Sequence, residues 1–128
     1  MSLRSPLGRV LGTGSARAGT GHFWQQRLSA AALVVLGLWF ALALPAVVAA
    51  GQGALRAWLA APVNSTLLIL LVAALAWHSS LGVQVVIEDY VHGPLAKLVS
   101  LVANRFAHVG AAAAAAFAIL RIAFGAMA

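Results

Sequence analysis

The sequence predicts an all-α membrane protein, with three transmembrane helices and no independent soluble core. Two observations carry this expectation. Of 128 residues, 63% are hydrophobic and only 8% are charged, whereas charged residues approach a quarter of a soluble domain. The apolar residues also gather into long stretches without charge, which is the pattern of membrane spans. A single domain follows. Three helices enclose so little interior that a partner, completing a helical bundle, is expected.

The elements follow in order. Residues 1–21 read as a mobile polar tail, rich in Gly, Ser and Arg, with Pro6 and no hydrophobic periodicity. Arginine and serine without acids also resemble a transit peptide, but the glycines argue against the amphipathic helix of such a peptide. Residues 22–128 form the three-helix anchor domain. Its first span is placed at 28–50, about 23 residues or about 34 Å of helix. A positive leader, an apolar run and Ala46-Val-Val-Ala-Ala50 imitate a signal peptide. The run exceeds the usual length of such a segment, so a retained helix is expected.

Residues 51–64 read as a loop, within which Leu55-Arg-Ala-Trp-Leu59 can lie flat at the interface with Trp58 as anchor. Asn64-Ser-Thr66 matches a glycosylation sequon, but Asn64 reads better as the N-terminal cap of the next helix. The second span is placed at 65–87, and it holds no Lys, Arg, Asp or Glu. Glu88-Asp89-Tyr90 follows, and His92-Gly93-Pro94 ends the helix. A third helical stretch runs from about residue 95 to 126. Its first part, through Arg105, is expected in the headgroup region and its span at 106–126. The run of alanines from Ala111 to Ala116 makes it slim, either as a close-packing surface or as filler.

Charge sets the orientation. Arg4, Arg9, Arg17 and Arg27 precede the first span, and Lys97 and Arg105 follow the second, while the first loop has only Arg56. The positive-inside rule then places the N-terminus in the cytoplasm and the C-terminus on the periplasmic side of a bacterial inner membrane, as a multi-pass protein. The net charge of +6 forms no basic stripe interleaved with aromatics, so nucleic-acid binding is not expected. Cysteine is absent, which excludes disulfides, thiolate metal sites and iron–sulfur ligation by this chain.

A histidine inside a span is costly and rarely idle. His78 lies roughly 13 Å inside the second apolar stretch. At 100° per residue, Gly82 and Asp89 share its face to within about 40°. Gly82 leaves a gap one turn away, of the kind that a flat macrocycle ligated by His78 would need. The competing reading is a helix–helix hydrogen bond from His78 to a neighbouring carbonyl or serine. Two-histidine ligation would need a second chain, with His108 as the competitor within this one. Asp89 and Tyr90 stand at the membrane boundary, where a phenol can donate to a quinone carbonyl and a carboxylate can relay protons. Interfacial enrichment of tyrosine is the plainer explanation of Tyr90. Arg27 either marks topology or pairs with an anionic group such as a haem propionate.

His78-Ser-Ser-Leu-Gly82-Val-Gln-Val-Val-Ile-Glu-Asp89-Tyr90 resembles the hydrophobic membrane anchor of succinate dehydrogenase, respiratory complex II. That family has a His, a Gly four residues on, and Asp-Tyr eleven and twelve residues on, in the second of three spans. His22-Phe-Trp-Gln-Gln-Arg27-Leu-Ser-Ala30 is similar to its N-terminal segment. The resemblance implies a non-catalytic anchor subunit of an enzyme complex. In it, His78 would be one axial ligand to the iron of haem b, with the other from the cytochrome b subunit. Arg27 would approach a propionate, and Tyr90 with Asp89 would bind ubiquinone near the iron–sulfur subunit. A flavoprotein subunit would oxidise succinate, linking the tricarboxylic acid cycle to electron transport. The alternatives are a fumarate reductase anchor, with the same chemistry reversed, or a non-haem structural scaffold. No role is assigned to His22, His92, Arg105 or His108.

Overall fold

The computed structural model describes residues 17–125. Residues 1–16, with most of the expected tail, and the last residue of the expected third span lie outside them. The described residues form four helices: α1 (Arg17–Ala49), α2 (Gln52–Ala60), α3 (Pro62–Tyr90) and α4 (Pro94–Gly125). At 1.5 Å per residue, α1, α3 and α4 measure about 50, 43 and 48 Å. Each is long and apolar enough to cross a membrane, and each exceeds the roughly 30 Å hydrocarbon layer by two or more turns. The all-helical, three-span architecture is therefore the one expected.

The helices start and stop for local reasons. Where the sequence suggests tail up to residue 21, α1 already begins at Arg17. Its early turns are held by packing, since His22 and Gln26 are half-buried. Past Pro45, α1 closes with Ala50 N–H donating to the Ala46 carbonyl and Gly51 N–H to that of Val48. Gly51 then takes φ +94° and ψ 176°, a conformation nearly confined to glycine. The chain turns there into α2.

Residues 51–64 are thus not a plain loop, for α2 fills most of them. The indole of Trp58 stacks on Trp39 of α1, with centroids 5.4 Å apart and planes at 19°. Asn64 is not the cap of α3. That helix starts earlier, with Ala61 at the cap position and Pro62 in the first turn, where the missing proline N–H costs nothing. Asn64 Nδ2 instead donates to the Trp58 carbonyl at 2.9 Å, which ties the end of α2 to α3.

α3 is the middle of the molecule. It packs against α1 on one side and α4 on the other, and α1 and α4 do not touch. Burial is sparse: Leu81 is the one large side chain fully enclosed among the described residues. Most of the long apolar side chains are exposed, among them Val34, Leu38 and Leu42 of α1 and Phe106 and Phe117 of α4. In a membrane those faces meet lipid or another helix.

The pairing of α3 with α4 has a defined register. Asn104 Nδ2 donates to the Ser80 carbonyl at 2.9 Å, and the Arg105 guanidinium lies 5.0 Å above the Trp77 ring. With Ser80 level with Asn104, the expected second span of 65–87 stands opposite about residues 97–119 of α4. Arg105 lies level with about Ser79 of α3.

Candidate functional site

His78 sits on the side of α3 that faces α1. Its Nδ1 is 3.0 Å from Ser29 Oγ, and Ser29 is buried. The serine hydroxyl donates to backbone carbonyls of its own helix, to Gln25 at 2.8 Å and more weakly to Gln26 at 3.1 Å. With that proton in the shorter bond to the Gln25 carbonyl, the oxygen can accept from Nδ1–H of His78. Nε2 is then the nitrogen with the lone pair. It makes no hydrogen bond among the described residues and is not sealed inside the chain.

The helix–helix hydrogen bond named as the competing reading is therefore present. It leaves metal ligation open, because it uses the other nitrogen. An imidazole with Nδ1–H held by a polar partner and Nε2 free is the arrangement that metal-binding histidines adopt. Gly82, one turn on, has open space where a side chain would stand. Among the described residues there is no cluster of three or more His, Asp or Glu that could hold a metal.

Ser29 belongs to a polar stripe that sequence reasoning did not single out. His22, Gln26 and Ser29 recur at helical spacing and share one face of α1. His22 Nε2 and Gln26 Oε1 are both buried without a partner among the described residues. The i, i+4, i+7 spacing was visible in the sequence. Only the fold shows that it faces α3. Open space at Gly82, a free Nε2 and these orphaned polar atoms together fit a bound group with both apolar and polar edges.

The other expected residues are dispersed. Arg27 is exposed, with its guanidinium 5.1 Å above the Phe23 ring, and it lies about 160° around α1 from Ser29. The structure does not bring it to His78. His108 is also apart: its Nδ1 donates to the Asn104 carbonyl of its own helix at 2.9 Å. It lines a groove of about 380 Å³ between α3 and α4, with Trp77, Ser80 and Arg105, across α3 from α1.

Tyr90 ends α3 and is 77% exposed. Neither its hydroxyl nor the Asp89 carboxylate has a partner among the described residues, and Asp89 is exposed too. The neighbouring polar groups are occupied. Gln84 Nε2 donates to Glu88 Oε1 at 2.8 Å, Lys97 Nζ donates to the Glu88 carbonyl at 2.8 Å, and His92 Nδ1 donates to the Tyr90 carbonyl at 2.9 Å. These contacts brace the turn between α3 and α4. A phenol and a carboxylate are left free at the helix end, about 18 Å along α3 from His78.

Fold and site define a multi-span helical membrane anchor in which an α3 histidine is held at Nδ1 by α1 and leaves Nε2 without a partner among the described residues. Comparison with known proteins makes this specific. Residues 1–120 match the family of succinate dehydrogenase/fumarate reductase transmembrane subunits, and the chain belongs to that family. It is 34% identical over 88 residues to the succinate dehydrogenase hydrophobic membrane anchor subunit of Rickettsia bellii (strain RML369-C), covering 69% of this chain and 70% of that one. Its identity to the protein of the same description from Paracoccus denitrificans is 31% over 123 residues, or 96% and 95% of the two chains. No solved structure matches significantly.

Proposed function

We propose that this chain supplies one half of a haem b site and part of a ubiquinone site within a succinate:quinone oxidoreductase. Membership of the anchor family supports a non-catalytic subunit in a dehydrogenase complex. The finer reading rests on one observation: Nδ1 of His78 is fixed by Ser29 while Nε2 is free. In the proposal Nε2 ligates the iron, and a cytochrome b subunit supplies the opposite ligand. Bound haem would supply a one-electron site inside the membrane. Arg27 can approach a propionate only by leaving Phe23.

At the C-terminal end of α3, the Tyr90 hydroxyl would donate to a quinone carbonyl and Asp89 would hand on protons. Reduction of a quinone to quinol takes up two electrons and two protons. The electrons would come from succinate through the flavoprotein and iron–sulfur subunits, and the protons from the aqueous side at Asp89. The N-terminus is assigned to the cytoplasm of a bacterium, which puts Tyr90 on the cytoplasmic face beside those subunits. Both relatives are named for succinate dehydrogenase, which favours this direction over fumarate reduction.

The test is spectroscopic. His78→Ala in the assembled complex is expected to abolish or strongly shift the b-type optical spectrum while the subunits still co-purify. An unchanged spectrum would leave His78 with the scaffold role that its bond to Ser29 also suits. For the quinone reading, Tyr90→Phe is expected to slow quinone reduction about tenfold, the worth of one hydrogen bond. Succinate oxidation with an artificial acceptor should be unaffected, and equal loss of both activities would refute the assignment.

A further inference from the structure

The end of the molecule opposite Tyr90 holds a cavity of about 460 Å³ between α2 and the last turns of α4. Gln52, Leu55, Arg56 and Leu59 line it from α2, and Arg121 and Ile122 from α4. Both guanidinium groups are exposed, and neither has an ion pair or hydrogen bond among the described residues. Among the described residues no carboxylate side chain lies near them. The whole sequence contains two acids, Glu88 and Asp89, and both sit at the far end of α3, about 40 Å along the helix from Pro62. Screening removes any attraction over that distance.

The walls and the level of the cavity say what suits it. The α3–α4 register sets Ser65, near the start of α3, opposite about residue 119, so with the expected second span beginning at 65, Arg121 falls just beyond it, at the level of bilayer phosphates. Leu55, Leu59 and Ile122 continue the cavity as an apolar surface. Two guanidinium forks match the oxygens of a phosphodiester, and an apolar wall beside them suits an acyl chain. We propose that the α2–α4 cavity binds the headgroup phosphate of an anionic phospholipid, with Arg56 and Arg121 as its ligands and Gln52 as a further donor. This site is independent of the roles of His78 and Tyr90.

The assembled complex, delipidated in detergent, tests it by native mass spectrometry with phosphatidylglycerol, phosphatidylcholine or inorganic phosphate as titrant. Phosphatidylglycerol is expected to bind, and binding to Arg56→Gln/Arg121→Gln to be about thirtyfold weaker, roughly fivefold for each cation. Phosphatidylcholine should bind far less well, and excess inorganic phosphate should not displace the lipid. Equal phosphatidylglycerol affinity in both proteins would overturn the proposal. So would full displacement by inorganic phosphate, which would make this a free-anion site. Loss of a partner subunit with unchanged lipid affinity would also overturn it, by assigning the arginines to a partner's carboxylates. If the double variant does not assemble, Arg121→Gln alone decides, with about fivefold weaker binding expected.

Discussion

At the scale of single residues, the two nitrogens of His78 have different surroundings, and that difference carries most of the functional reading. Ser29 fixes Nδ1 at 3.0 Å from a buried position, so the imidazole plane is set before any ligand arrives. Partners of this kind typically affect metal affinity ten- to a hundredfold when removed. On the proposed haem ligation, Ser29→Ala is expected to weaken haem retention by about that factor and to alter the low-spin resonance signal, while Ser29→Thr restores both. An unaltered signal and unaltered haem content in Ser29→Ala would mean that His78 is oriented by something else. Of these two residues, only His78 could be singled out from the sequence. A histidine in an apolar run is conspicuous, but a serine at the head of a span is ordinary. Its meaning comes from a residue 49 positions away.

At the scale of elements, α2 and the corner before it depended on contacts that periodicity does not encode. The segment around Trp58 was legible as interfacial, because Leu55, Trp58 and Leu59 are apolar and Arg56 is not. Its attachment was not legible, since it comes from Trp39 stacking on Trp58 and from Asn64 reaching back to the Trp58 carbonyl. The corner itself rests on Gly51, whose backbone lies where a side chain is strained. Gly51→Ala is expected to destabilise the α1–α2 corner by about 1–3 kcal/mol, read as a lowered denaturation midpoint in micelles. A midpoint equal to the wild type would show that the turn can relax. In α4, Lys97, Ser100, Asn104 and Arg105 suggest a wet first part. The structure ties that part to α3, where Asn104 pairs with Ser80 and Arg105 covers its charge with the face of Trp77.

For the whole molecule, α3 is a spine with α1 and α4 on opposite sides, and the chain has almost no core of its own. Long apolar side chains cover the exposed faces of all three long helices. Lipid or partner helices complete these faces. The same openness matters for the site, since a free Nε2 at His78 and open space at Gly82 are of use only to a group that reaches the chain from outside. The sequence by itself determined the all-α class and the three spans, because transfer of apolar runs into a bilayer depends on composition and length alone. It also marked His78, Gly82, Asp89 and Tyr90, which share one helix or its end and so follow from helical geometry. Only the tertiary structure decided that His78 meets Ser29, that His108 lies across α3 from that pair, and that Arg56 and Arg121 share a cavity. Those meetings depend on which helix faces touch and in what register. Side-chain packing between distant segments sets both, and no local period records it.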